Sequence, residues 1–149
     1  MDKIELKIIG FTGAILTIFL VALLYASANK NINVPACVPY NKAFSKPHFK
    51  QIDSTTYEAF IVAKMWSFEP SEIYIPVGSE VDIYLTSEDV VHGFNIEQKA
   101  LNMMAVPGAI AKQTVRFDKP GIYKMVCHEY CGTGHQNMQG EIIVNYKTK

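Results

Sequence analysis

The densest chemistry in the chain lies in Cys127-His128-Glu129-Tyr130-Cys131-Gly132-Thr133-Gly134-His135-Gln136-Asn137-Met138. This stretch contains C-x3-C-x3-H-x2-M, placing two thiols, an imidazole and a thioether within twelve residues. A further histidine, His92, lies 35 residues upstream of Cys127, in Val90-Val91-His92-Gly93-Phe94. These are soft or borderline ligands, the set that suits copper. Each has an ordinary explanation when taken alone. A cysteine is often a small buried hydrophobe and a methionine often fills core. A cysteine pair outside the cytoplasm can be a disulfide. Zinc takes Cys and His at other spacings and without a thioether. None of these accounts for Cys, Cys, His and Met together, with a second His from a strand. Gly132, Gly134 and Gly140 let the backbone fold tightly round an ion.

A mononuclear blue site uses one Cys, two His and a weak Met. The second cysteine changes the count. Two thiolates can bridge two copper ions, and each ion then takes one histidine. Met138 and a backbone carbonyl complete the two shells as weak outer ligands. The set closes with nothing left over, so a dinuclear site is expected.

Such ligands need a rigid frame. From Tyr57 onward the apolar period is two: Ala59 to Ala63, Ile73 to Val77, Val81 to Leu85, Thr114 to Phe117, Gly121 to Val126 and Gly140 to Tyr146. Turn signals separate them at Pro76-Val77-Gly78, Val106-Pro107-Gly108 and Asp118-Lys119-Pro120-Gly121. Many short strands at this spacing predict an antiparallel sandwich or barrel. Residues 29–57 are polar with few large apolar side chains and read as a linker and ordering loop. The β domain is expected over 58–149, and 1–28 as tail and anchor.

The anchor rests on Ile8 to Ala28, 21 residues without a charge. As a helix they reach roughly 30 Å, the thickness of a bilayer core. Lys7 and Lys30 bracket the run and Tyr25 sits near one end. A secretory signal peptide is the competing reading, since Ala26-Ser27-Ala28 resembles a cleavage site, but the apolar run exceeds a signal core of roughly 7–15 residues. Either reading sends the rest of the chain across the membrane. Fourteen basic and fourteen acidic residues balance, with no basic stretch, which argues against nucleic acid as a partner. Three cysteines argue against a pure disulfide framework. Cys37 stands outside the copper pattern and is expected to be a buried or interface thiol.

The pattern resembles subunit II of cytochrome c oxidase, the CuA protein, and is similar to the C-terminal domain of nitrous oxide reductase. The resemblance rests on Trp66-Ser67-Phe68-Glu69-Pro70, Ile75-Pro76-Val77-Gly78, Thr86-Ser87 through Val91-His92-Gly93-Phe94, Val106-Pro107-Gly108, Pro120-Gly121-Ile122-Tyr123 and the copper loop. It implies a cupredoxin fold, a Greek-key β-barrel behind one transmembrane helix. It further implies that His92 and Met138 bind one copper, that His135 and the Glu129 carbonyl bind the other, and that Cys127 and Cys131 bridge both. A chain of 149 residues leaves no room for the large propeller of nitrous oxide reductase. A single span resembles the short subunit II of B-family, ba3-type bacterial oxidases.

The resemblance also implies partners. Cytochrome c would donate electrons, and a haem in subunit I would receive them in a prokaryotic cell membrane, with the copper domain on the outer, periplasmic side. Trp66 is a candidate for electron uptake, although Lys64 stands where the family commonly has a first tryptophan. Glu5 resembles a subunit II glutamate at the mouth of a proton channel. The Glu129 side chain resembles one that helps bind magnesium against subunit I. A stand-alone, membrane-anchored copper protein that carries electrons or delivers copper is the alternative class. Co-isolation with a haem-bearing membrane subunit separates the two.

Overall fold

The computed structural model describes residues 2–30, 36–38, 44 and 46–146, and divides into two units, 1–33 and 34–149. The first unit is one helix, α1 (Lys3–Lys30), which continues past the uncharged run by two residues. Its start is a reciprocal cap. Asp2 Oδ1 accepts the Ile4 amide at 3.4 Å, and Glu5 Oε2 accepts the Asp2 amide at 2.8 Å. Its apolar side chains, among them Phe11, Phe19 and Leu24, are exposed on every side. A helix apolar all round suits lipid rather than water. It is long and apolar enough to cross a membrane.

The second unit is built from strands: β1 (Ala36–Val38), β2 (His48–Gln51), β3 (Thr56–Lys64), β4 (Ser67–Glu69), β5 (Glu72–Pro76), β6 (Ser79–Ser87), β7 (His92–Ile96), β8 (Leu101–Ala105), β9 (Ile110–Phe117), β10 (Gly121–Val126) and β11 (Gln139–Asn145). One sheet runs β1-β9-β6-β3-β2 with β4 on β3, and the other runs β5-β11-β10-β7-β8. The three sequence turn signals fall between β5 and β6, β8 and β9, and β9 and β10. Residues 29–57 contribute β1, β2 and the start of β3. β1 and β2 are three and four residues long and lie at the two ends of their sheet, and β2 lacks the alternation that marks a half-buried strand.

The sheets are mixed rather than antiparallel throughout. β3 pairs with β6 in parallel, Thr56 with Glu80 through Ala63 with Ser87, and β5 pairs in parallel with β11. The connectivity requires this. The chain crosses to the opposite sheet at β5 and returns at β6, and parallel neighbours need such crossovers where antiparallel ones need only a hairpin. Cys37 lies in β1, opposite Ala111, and its side chain is outside what is described.

Alternation places one face of each sheet inward. β3 and β6 bury Ala59, Ile61, Val81, Ile83 and Leu85, and the facing sheet buries Phe94, Ile96, Met125, Ile142 and Val144. Each large apolar side chain buried there contributes about 1.5–3 kcal/mol. Phe68 and Phe94 meet edge to face, with centroids 5.2 Å apart. They stand two residues after Trp66 and His92, so this packed pair supports the end of the sandwich where the ligands gather. On the outer face, His48, Phe60, Tyr84 and Lys112 form one cross-strand row. Rings stack at 4.0 and 4.6 Å, and the Lys112 ammonium lies 5.0 Å from the Tyr84 centroid.

Candidate metal centre

The copper loop is the long turn of the β10–β11 hairpin. Val126 pairs with Gln139, and the Cys127 amide donates to the Met138 carbonyl at 3.1 Å, which closes the loop at its base. His135–Asn137 make one tight 3-10 turn inside it. Residue 127 therefore begins where the strand ends, and residue 138 comes back beside it. His92 opens β7, whose Asn95 pairs with Val126 of β10. Adjacent strands thus bring a residue 35 positions upstream to the base of the loop.

The sequence-predicted ligands converge. The ligand atoms of His92, Cys127 and Cys131 all lie within 4.8 Å of one another, and all three residues are buried. The two sulfurs are 3.8 Å apart and free. A disulfide needs about 2.05 Å, so this pair is two thiols. Cys127 Sγ lies 3.2 Å from the Glu129 carbonyl oxygen. Cys131 Sγ lies 3.6 Å from His135 Nδ1 and 3.7 Å from Met138 Sδ. Met138 is 1% exposed and, with both cysteines, belongs to the hydrophobic core. Burial, with Cys127 beside it, pushes the Cys131 thiol up to about 11. A metal must displace that proton on binding.

One atom tests whether this set fits a metal. His92 is fully buried, yet among the described residues its Nδ1 has no hydrogen-bond partner. Leaving a buried ring nitrogen unpaired costs about 1–3 kcal/mol. Its other nitrogen is satisfied, because Nε2 lies 2.7 Å from Asp89 Oδ1. A lone pair left over beside two thiols is what a soft metal uses. Three sulfurs, two imidazoles and a carbonyl form a donor set that fits copper.

Asp89 is a residue sequence reasoning passed over, although it lies three positions before His92 in a stretch that carried the resemblance. Besides His92, it accepts the Met65 amide on Oδ2 at 2.7 Å and the Val90 amide on Oδ1 at 2.6 Å. Burial by itself would raise this carboxyl. The hydrogen bonds from His92, Met65 and Val90 outweigh burial and hold it below its ordinary value.

Trp66 is half-exposed, at 42%, and lies on the copper loop. A Cβ built at Gly134 would meet the indole at 2.3 Å, and one at Gly132 would meet it at 3.2 Å. Gly132 also has φ 114°, a conformation that suits glycine. The loop glycines therefore do more than permit a tight turn: two of them seat an aromatic ring. Gly140 lies in β11, where a Cβ would come 2.7 Å from the Ser71 carbonyl. The Glu129 side chain is exposed, as is Tyr130 beside it. Glu5 lies in the helical unit, where its carboxylate caps α1.

Comparisons with known proteins agree with this geometry. A family model for the periplasmic domain of cytochrome c oxidase subunit II matches residues 50–146. Cytochrome c oxidase subunit 2 of Thermus thermophilus is 30% identical over 148 residues, covering 91% of this chain and 88% of the relative. A second Thermus thermophilus cytochrome c oxidase subunit 2 is 37% identical over 94 residues, covering 63% of this chain and 70% of the relative. Among solved structures, a chain of a heme-copper terminal oxidase dimer shares 40% identity, with TM-score 0.85, over 96% of this chain and 100% of that one. The periplasmic domain of subunit II of cytochrome oxidase from Bradyrhizobium japonicum shares the fold at 20% identity and TM-score 0.56, over 63% of this chain and 86% of that one. A buried thiol pair at the base of a β10–β11 loop, a buried imidazole beside it, and matches that span nearly the whole chain lead to one conclusion: the chain belongs to the cytochrome c oxidase subunit II family, the copper-binding subunit of haem–copper oxidases.

Proposed function

We propose that this chain takes single electrons from a cytochrome c into a dinuclear copper centre and passes them to a haem of subunit I, where oxygen is reduced. The observation that carries the reading is the buried, unpartnered Nδ1 of His92 beside the thiols of Cys127 and Cys131. His92, Cys127, the Glu129 carbonyl, Cys131, His135 and Met138 are the proposed ligands. Held by those residues, a copper pair would supply one-electron redox chemistry.

The residues of the chain hold that group still. β7 and the β10–β11 hairpin, three neighbouring strands of one sheet, fix the ligands. Burial of Cys127, Cys131 and Met138 in the core excludes water from one side. Little movement on electron transfer means little reorganisation, which is what fast transfer needs. The half-exposed Trp66 forms the proposed uptake surface for the donor. By the same reading α1 is a single-pass anchor in a prokaryotic cell membrane, residues 29–57 lead from it into the copper domain, and that domain stands on the periplasmic side. Glu5 is proposed to admit protons at the mouth of the span.

The exposed Glu129 carboxylate is free for other work because only its carbonyl faces Cys127. We propose that it binds magnesium against subunit I, since that ion favours carboxylate and water oxygens. Stoichiometric magnesium or manganese in the intact oxidase that disappears in Glu129→Gln, with copper retained, supports this. A complex without such a metal refutes it.

The main reading is tested on the intact oxidase by metal analysis and electron paramagnetic resonance. Two coppers in this subunit with a seven-line, mixed-valence hyperfine pattern are expected. One copper, or a four-line pattern, overturns the dinuclear site.

A further inference from the structure

His92 offers two nitrogens and can give only one lone pair to a metal. Which one it gives depends on where its proton sits. Nε2 lies 2.7 Å from Asp89 Oδ1. Among the described residues, Nδ1 has no hydrogen-bond partner. Both Asp89 oxygens already accept backbone amides, from Val90 and Met65, so the carboxylate acts as an acceptor toward Nε2 too, and a neutral His92 carries its proton on Nε2. The lone pair is then on Nδ1, in a buried ring that brings a nitrogen within 4.8 Å of the Cys127 and Cys131 sulfurs.

Asp89 is itself held on several sides. Its Oδ1 also takes the Val90 amide at 2.6 Å and lies 3.3 Å from Ser87 Oγ, while Oδ2 takes the Met65 amide at 2.7 Å. Met65 precedes Trp66 in the β3–β4 turn. One carboxylate therefore fastens a buried imidazole to the turn that carries the exposed indole. The indole in turn donates from Nε1 to the Cys131 carbonyl at 3.1 Å. His92 and Cys131 are thus tied to the same two-residue turn from opposite sides, one through Asp89 and one through Trp66.

We infer that Asp89 is the positioning residue of the copper centre: it sets the Nε2–H tautomer of His92 before metal arrives and locks the Met65–Trp66 turn to that ligand. This rests on the copper reading above for the role of His92, but the tautomer belongs to the metal-free chain and can be read without copper. Carboxylate partners of metal-bound histidines act in this way generally, and their loss weakens metal binding about 10–100-fold.

The test uses the full-length chain in detergent, with nitrogen-15-labelled histidine, above pH 7.5. In the copper-free wild type, His92 is expected as a single Nε2–H tautomer, and the Met65 amide is expected to exchange slowly. Asp89→Ala should give mixed tautomers and a fast Met65 amide, and should lose copper to a chelator about 10–100-fold more readily. Asp89→Asn guards against a folding failure. Its carbonyl can keep the His92 bond, while its amide cannot accept from Met65. It should hold the tautomer, release the Met65 amide and shift the hyperfine pattern of the loaded chain. An Nδ1–H tautomer in the wild type overturns the inference. So does a folded Asp89→Ala chain with wild-type tautomer and exchange. If the chain binds no copper but His92 and Met65 respond as described, the copper reading fails and the Asp89 inference stands. Wild-type copper retention and spectra in Asp89→Ala give the reverse result.

Discussion

The Nε1–H of Trp66 donates to the Cys131 carbonyl at 3.1 Å, and the ring lies against Gly134 so closely that a Cβ there would come within 2.3 Å. A half-exposed aromatic at this end of the sandwich is therefore hydrogen-bonded to the backbone of a proposed bridging ligand. This gives a sharp separation. Trp66→Phe keeps an aromatic ring and removes the donor. If the indole steadies the loop, the copper absorption and hyperfine pattern should shift. If it serves electron uptake alone, the spectrum should stay and only cytochrome c oxidation should slow. Gly134→Ala forces the ring out, and a loss of about 1–3 kcal/mol of stability is expected from the overpacking, measured by denaturant unfolding.

Met138 and Cys131 should respond differently to replacement. Met138→Leu keeps a similar volume at a site that is 1% exposed, so folding should change by less than about 1.5 kcal/mol. Copper should stay bound with an altered potential, because a thioether is a weak outer ligand. On the dinuclear reading, Cys131→Ser removes a proposed bridging thiolate, and the mixed-valence pattern should vanish. Metal content and redox titration of each variant check this pair.

Glu5 carries a structural duty that any test of proton uptake must set aside. Its Oε2 accepts the Asp2 amide at 2.8 Å. Glu5→Gln retains an acceptor at that place and removes the ionisable group. Glu5→Ala removes both and should cost about 0.5–2 kcal/mol at the helix start. Lower turnover in the Gln variant supports proton uptake. Full turnover with Gln, and a loss only with Ala, reduces Glu5 to a cap.

The outer face of the β3–β6–β9 sheet should set part of the acid stability. Asp82 is 2.8 Å from Lys112 Nζ and accepts from Thr114 Oγ1 at 2.5 Å. Burial opposes ionisation of Asp82, but the bonds from Lys112 and Thr114 prevail and lower its carboxyl below 3.8. A lowered carboxyl stabilises the fold above its unfolded value, and that contribution disappears as pH falls through the folded value. Lys112, raised above 10.5 chiefly by its bond to Asp82, stabilises below that value and loses its contribution as pH climbs through the folded one. Asp82→Asn should cost about 0.5–1 kcal/mol at neutral pH. It should also flatten the fall in stability below pH 4, as read from denaturant midpoints across the acid range.

The proposed ligands could be grouped from the sequence because four of them sit in one loop, where spacing in the chain is nearly spacing in space. Cys127, Cys131, His135 and Met138 needed no tertiary fold to be grouped, and the absence of charge from Ile8 to Ala28 needed none to mark a membrane-length helix. The longer strands were equally plain, since β3 and β6 bury alternate residues and show period two. What the chain could not state locally was decided by contact across the fold. β1 and β2 are short strands at the ends of their sheet, so only their partners define them. The parallel β3–β6 pair exists because the chain leaves the sheet between them, which no local period records. His92 meets the loop because β7 lies beside β10. Asp89 and Trp66 acquire their contacts from residues 24 and 65 positions away. Hydrogen bonds of that span depend on how strands are stacked and ordered, and a pattern of residue types along one chain carries no measure of it.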